Sequence, residues 1–183
     1  MSFDLIEARE LLDRGIGLLM QFEKELRELA SELTEKSLRK RYTRFVLRRE
    51  DYERISRLAE DLSRIRRELE DLERDAPDEL EPLLSAARFI ALRAQQVLGT
   101  LFRYYARFGE EPVQLTAIDE DLATAYVAGA VRAALARRNV EYEDLVEKAG
   151  SVRIKPGHDV YEIVFALRQL ASVVREAMRR LRR

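Results

Sequence analysis

The densest hydrophobic pattern of the chain runs from Leu83 to Phe108. This segment contains no Asp or Glu, although 37% of all residues are charged. Its apolar residues form two interleaved sets, each with a spacing of seven: Leu83, Ile90, Val97 and Tyr104, and Ala87, Ala94, Leu101 and Phe108. Together the two sets make one broad apolar face on an α-helix. Such a face needs neighbours on several sides, so the pattern predicts the central helix of a helical domain.

A first helix is predicted from Asp4 to about Lys36, where leucines again recur every seven residues. Gly15 and Gly17 interrupt this pattern. Each glycine costs about 1 kcal/mol relative to alanine in a helix interior, so a kink or a close helix contact is expected there.

The segment from Glu50 to Arg74 has a narrower apolar stripe, in alternating steps of three and four. We call it the leucine seam: Ile55, Leu58, Leu62, Ile65, Leu69 and Leu72. This spacing is typical of a coiled coil. The seam predicts either one half of an antiparallel hairpin within the chain or an interaction with a second copy, which would make a homodimer.

Three shorter patterns complete the chain. A helix from Thr116 to about Arg138 carries small residues at positions 125, 129 and 133, which permit close helix approach within the domain or to a partner. Asn139 can end this helix, and a short helix from Glu141 to Ala149 follows. The last helix, from Asp159, repeats its apolar residues in sevens.

The predicted fold class is therefore all-α: a single domain over residues 1–183, with about six helices and at most one short β segment near residues 152–155. Long antiparallel or coiled-coil-like helices occupy 1–75, central helices 78–149, and a strand, a turn and the last helix 150–183. The break after residue 75 rests on Pro77, which ends a helix. The central and last helices are expected to lie side by side in the core.

The amino-acid composition argues against several kinds of site. The chain has no Cys and one His, so disulfides, thiolate chemistry and a zinc site are not expected, and no cofactor motif is present. No stretch approaches the ~20 apolar residues of a membrane span, and no signal peptide is recognised. These features predict a cytoplasmic protein. Dense Arg and Glu without Cys or Trp is typical of a thermophile.

The most basic segment, 37–49, contains no acidic residue. Its candidate nucleic-acid-binding residues are Arg39, Lys40, Arg41, Arg44, Arg48 and Arg49. They form either a phosphate-binding face with aromatic residues beside it or the solvated side of an ordinary helix. We favour the solvated face, because short basic segments often occur in proteins that do not bind nucleic acid.

Arg153 and His158 form an R-x-x-x-x-H pattern just before the last helix. This pattern resembles the active-site signature of the HEPN ribonucleases, helical proteins in which an Arg and a His cut RNA at a dimer interface. The resemblance implies an endoribonuclease with Arg153 and His158 as its catalytic pair. The alternative is that His158 helps to start the last helix.

A longer segment, Asp51 to Ala134, resembles the helical domain of archaeal GINS subunits. Glu-Asp-Tyr at positions 50–52 matches the aromatic-led start of that domain, and 80–108 matches its long helix. Leu115, Thr116 and Asp119 match its L-T-x-x-E-like helix start, with Asp in place of Glu. The resemblance implies a non-catalytic scaffold that joins a replicative helicase to partner proteins.

The sequence therefore predicts a non-enzymatic helical scaffold subunit of a nucleic-acid-processing complex, possibly in DNA replication. Its protein partners would bind through helical surfaces, and it would contact nucleic acid as part of the complex. Two alternatives stay open. One is the HEPN-type endoribonuclease, and the other is direct binding of nucleic acid through residues 39–49.

Overall fold

A computed structural model describes residues 5–39, 49–106, 120–152 and 160–183. Within these ranges the chain folds into six α-helices and contains no strand, which confirms the all-α prediction. The helices are α1 (Leu5–Arg39), α2 (Arg49–Asp75), α3 (Glu81–Ala106), α4 (Glu120–Ala136), α5 (Glu143–Ser151) and α6 (Val160–Arg182). None of these helices is both long enough and apolar enough to cross a bilayer.

The first and last helices form the most extensive pair of the bundle. Asp13 of α1 contacts Arg182 of α6, and Glu23 contacts Arg175, so the two helices run antiparallel. Gly15 lies between these positions, and a Cβ placed on it would come within 3.2 Å of the Met178 sulfur. Gly15 thus allows a close helix contact, whereas Gly17 faces open space.

Helices α3 and α6 lie side by side at the centre, as predicted. Each of them contacts four other helices: α3 packs against α1, α2, α4 and α6, and α6 packs against α1, α3, α4 and α5. The sevenfold positions that face this core include Leu83, Ile90, Leu167 and Val174, all at most 1% exposed. Burying a side chain of this size stabilises the fold by roughly 1.5–3 kcal/mol, so this pair contributes much of the core.

The leucine seam is buried inside the single chain. Its six side chains are at most 7% exposed, and α2 packs against both α1 and α3. The intramolecular alternative is therefore the one that the structure shows. A dimer built on this seam would need the same side chains, which the core already occupies, so the seam is corrected from a partner interface to a core element.

The small residues of α4 do not mediate a close helix contact within the described part of the chain. Ala125, Gly129 and Ala133 are all exposed, and a Cβ placed on Gly129 would meet nothing within 4 Å. The buried face of α4 is a different one, formed by Val127, Val131 and other apolar residues. Of the two predicted uses of the small residues, close approach inside the domain is therefore wrong.

A Schellman motif ends α4 at the predicted residue. Asn139 has a φ of 54°, and its N–H donates to the Ala136 carbonyl at 3.2 Å. The Val140 N–H donates to the Leu135 carbonyl at 3.1 Å, which completes the motif. Helix α5 then begins two residues later than predicted. Val152, after α5, is extended, but residues 153–155 of the predicted β segment lie outside the described residues.

Candidate nucleic-acid interface

Four parts of the chain meet at one end of the bundle, and three of them contribute arginines. This end holds the first turns of α1, the turn between α2 and α3, the turn after α4, and the last turn of α6. A cavity of about 250 Å³ lies between them. We call it the arginine cleft, after the five arginines that line it: Arg9, Arg138, Arg180, Arg182 and Arg183. Glu79 is the one acidic residue in its lining.

Apolar side chains form the floor of the arginine cleft. Leu12 of α1 and Leu80, which precedes α3, are buried there, and Leu181 and Val140 are half-buried. The helical period explains how arginines and leucines alternate. Leu181 continues the sevenfold apolar pattern of α6, so the arginines beside it point to the edge of the bundle. Basic residues in the last turn also complement the helix dipole.

Arg180 is held in place by several bonds. Its Nη1 donates to Asp144 Oδ1 at 2.7 Å and to the Glu141 carbonyl at 2.8 Å, and its Nη2 donates to Asp144 Oδ2 at 2.5 Å. This bidentate bond raises the pKa of Arg180 and lowers the pKa of Asp144 to about 2. Arg180 thereby fastens α5 to α6 and presents a fixed positive charge beside the cavity.

Two other cleft arginines are paired near the surface. Arg138 donates to Glu79, and Arg182 Nη1 lies 3.0 Å from Asp13 Oδ1. All four of these side chains are at least 40% exposed. Exposed ion pairs contribute about 0–1 kcal/mol, so a strong anion such as phosphate can compete for these guanidiniums at little cost.

Arg9 and Arg183 are exposed and have no carboxylate within ion-pair distance among the described residues. The other three lining arginines pair with Glu79, Asp144 and Asp13. Among the described side chains, two positive charges are therefore in excess around the cavity. Glu176 approaches Arg180 Nε at 3.6 Å, but it also lies 3.9 Å from Arg179, which offsets its charge.

This arrangement is suited to binding an anion. A guanidinium presents a planar set of donors that matches carboxylate or phosphate, and several of them around one cavity select strongly charged groups. The described residues that line the cavity include no hydroxyl, imidazole or thiol. Among all described residues, no group of three His, Asp or Glu side chains could hold a metal ion.

A second charged feature, the pair of Glu23 and Arg175, lies inside the bundle between α1 and α6. The Glu23 Oε2 to Arg175 Nη1 distance is 2.6 Å, and the carboxylate side chain is 7% exposed. Glu23 Oε1 and Arg175 Nε have no hydrogen-bond partner among the described atoms. Burial raises the pKa of Glu23, and Arg175 opposes this shift only in part. Neither residue lines the arginine cleft, and the Glu23 side chain is buried between α1 and α6, so we assign the pair to the core.

The predicted site residues lie largely outside the described part of the chain. Arg153 and His158, the ribonuclease-like pair, are outside it, and so are Lys40, Arg41, Arg44 and Arg48. Arg39 is the last residue of α1 and Arg49 the first of α2, with side chains that are likewise not described. Both candidate sites therefore stay predictions.

Sequence reasoning missed the arginine cleft. Its one local signal is the basic end of α6, which the helix dipole explains without any ligand. Arg9 and Arg138 lie far from that segment in the sequence, and only the antiparallel packing brings them beside Arg180. The chain matches no protein-family model, no curated protein and no solved structure. The resemblances to HEPN ribonucleases and to GINS subunits accordingly stay predictions.

Proposed function

We propose that this protein is a non-catalytic helical subunit of a nucleic-acid-processing complex, and that it contacts nucleic-acid phosphates through the arginine cleft. The observation that carries this proposal is the convergence of five arginines on one cavity, with two positive charges left in excess. The protein has a net charge of −1, so the attraction is local to this end of the bundle.

The chemistry of the arginine cleft favours phosphate as its target. Half to two-thirds of protein–DNA hydrogen bonds go to the sugar–phosphate backbone, and arginine is a principal donor. These contacts position a protein on nucleic acid without reading its sequence. A positioning role of this kind fits a scaffold subunit, which orders other components and does no chemistry itself.

The supports of the arginine cleft are rigid, which favours binding further. Arg138 precedes the Schellman turn at Asn139, and Arg180 is fixed by Asp144 and the Glu141 carbonyl. Guanidiniums that are already in place lose little side-chain freedom when a ligand arrives. The part of the arginine cleft that Arg138 and Arg180 form is therefore organised before binding.

Fluorescence anisotropy with labelled single- and double-stranded DNA and with RNA tests the proposal. We expect binding whose affinity falls as salt rises, because phosphate contacts release counterions. Reversing the two unpaired charges, in Arg9→Glu with Arg183→Glu, should weaken binding at least tenfold. The same change should reduce the slope of log affinity against log salt by about 2, roughly one for each lost contact.

Arg57 and Arg67 provide the matched control. Both are exposed on α2, away from the arginine cleft, and their reversal to Glu changes the net charge equally. This control variant should bind almost as the unchanged protein does. An equal loss in both variants would show that only overall charge matters, and absence of salt-sensitive binding would reject the proposal.

The subunit role needs a separate test. A GINS-like scaffold, as implied by the segment from Asp51 to Ala134, is one form of this function. Co-purification with identified nucleic-acid-processing proteins, persisting after nuclease treatment, would support a place in such a complex. Recovery of the protein alone under conditions that preserve other complexes of the same cell would count against it.

A further inference from the structure

We infer that the arginine cleft is a pocket for a phosphomonoester, the doubly charged phosphate found at the end of a nucleic-acid strand or on a free mononucleotide. This inference rests on the proposed function, which makes nucleic acid the source of the ligand. It adds which kind of phosphate is bound. A phosphomonoester carries about −1.5 to −2 charges at neutral pH and three terminal oxygens. A phosphate within a strand carries one negative charge.

Charge is the first argument. Three of the five arginines are matched by Glu79, Asp144 and Asp13, so the described side chains leave an excess of two positive charges. A phosphomonoester dianion neutralises this excess fully, whereas an internal phosphate leaves half of it. Each uncompensated charge at a partly enclosed site is unfavourable, so the charge balance favours a terminal phosphate over a phosphate within a strand.

Size is the second argument. At about 250 Å³ the cavity is smaller than the ~300–1,000 Å³ of pockets that hold drug-sized molecules. Proteins that bind single strands along their length use grooves that span about 4–16 nucleotides. The arginine cleft therefore has room for one end of a strand or for one small molecule.

The floor of the arginine cleft is the third argument. Leu12 and Leu80 are buried at its base, and Leu181 and Val140 line its side. A phosphate held by the arginines at the rim would leave its sugar or base against these apolar side chains. This combination of an anionic and a less polar part is the chemistry of a nucleotide, and inorganic phosphate supplies only the first.

The experiment compares one short single-stranded DNA, labelled at its 3′ end, with a 5′-phosphate and with a 5′-hydroxyl. We expect the phosphorylated strand to bind about tenfold more tightly, the gain from one added charge-assisted contact. This preference should fall below about pH 6, where the phosphate dianion takes up a proton and keeps only one negative charge. AMP and adenosine serve as the competitors that represent the free mononucleotide source.

Arg9→Ala with Arg183→Ala is the test variant, and Arg57→Ala with Arg67→Ala is the matched control. Both pairs are exposed, so neither substitution removes core packing. The test variant should lose the preference for the 5′-phosphate and still bind the 5′-hydroxyl strand weakly. The control should keep the tenfold preference.

The outcomes separate the inference from the proposed function. Equal binding of the two strands, with both weakened in the test variant, would overturn the terminal-phosphate inference and leave the proposed function standing. Binding of AMP and not of adenosine, measured directly by isothermal titration calorimetry in a protein that binds no strand, would keep the phosphomonoester pocket and overturn the proposed function. Failure of every strand and of AMP to bind would overturn both.

Discussion

The Glu23 carboxylate shows how a single buried charge is tolerated in the helical core. Burial raises its pKa, and the cations Arg175, Arg168 and Arg179 lower it without cancelling the shift. Arg175 is closest, at 2.6 Å. Because the folded state holds the Glu23 proton more tightly than the unfolded state does, ionised Glu23 destabilises the fold. Stability should therefore rise as the pH falls through the folded pKa.

Replacing Arg175 by methionine should make this dependence visible. The Arg175→Met variant leaves a buried carboxylate without its nearest cation, so the free energy of unfolding should fall by about 2–3 kcal/mol near neutral pH. The loss should shrink as the pH falls from 7 towards the ordinary pKa of 4.5, because the raised pKa lets Glu23 take up its proton above that value. Urea unfolding at both pH values measures it.

The control for this prediction removes the carboxylate charge first. In a Glu23→Gln background, Arg175→Met should cost less, and its cost should not depend on pH in this range. A loss of the same size at both pH values in the unchanged background would contradict the prediction. It would show that Arg175 acts through the packing of its stem alone.

Asp144 gives a second prediction at this scale. Its pKa is about 2 because Arg180 binds both carboxylate oxygens, so the Arg180→Met variant should return the pKa towards its ordinary value of 3.8. Carboxyl carbon NMR during an acid titration measures this change. The lowered pKa means that the pair stabilises the fold above about pH 4 and loses its effect as the pH falls towards 2.

Arg182→Met is the matched control for that titration, because Arg182 lies in the same turn but pairs with Asp13. It should leave the pKa of Asp144 near 2. An unchanged pKa in the Arg180 variant would mean that the helix start, and not the guanidinium, holds Asp144 ionised.

At the scale of elements, α1 contains two glycines with different surroundings. Gly17 is exposed and has nothing near its missing Cβ, whereas Gly15 faces the buried sulfur of Met178. Gly17→Ala should therefore raise the free energy of unfolding by about 0.5–1 kcal/mol, through helix propensity alone. Thermal and urea unfolding check this value.

The same substitution at Gly15 should gain less, because a Cβ there lies 3.2 Å from the Met178 sulfur and must push it aside. A larger side chain has no such remedy, and Gly15→Leu should cost about 1–3 kcal/mol by overpacking. Equal gains for alanine at the two positions would show that α1 and α6 are less tightly packed than the structure indicates.

The elements themselves could be predicted from sequence because their patterns are local. Leu12, Leu19 and Leu26 of α1 and the seam of α2 fall on buried faces, and Asn139 ends α4 as expected. What each face packs against could not be read, because a periodic stripe has the same form whether a neighbour in the chain or a second copy covers it. The small residues of α4 show a different limit of sequence patterns. Their spacing permits a close helix contact, but the described helices do not make it.

At the scale of the whole molecule, a substitution in the leucine seam tests whether the seam lies in the core of one chain or between two copies. Ile65 is fully buried, so Ile65→Ala should lower the free energy of unfolding by about 2–5 kcal/mol. The molar mass in solution, measured by light scattering, should stay unchanged. Leu92→Ala, at a 37% exposed position of α3, is the control and should change stability little.

A halved molar mass in the Ile65→Ala variant, without loss of unfolding free energy, would instead place the seam between two copies.

The arginine cleft could not be predicted from the sequence, because it exists only in the folded molecule as a whole. Its residues come from positions 9, 138 and 180–183, and no local pattern connects them. Only the alternation of antiparallel helices brings these distant segments to one end.

The position of α6 between α1, α3, α4 and α5 has a consequence for synthesis. During translation the first five helices leave the ribosome before the helix that completes their core. Until then Leu19, Phe22 and Leu83, all fully buried in the finished protein, would have part of their apolar surface uncovered. The nascent chain should therefore engage chaperones until α6 emerges, and become protease-resistant only once α6 packs against the other helices.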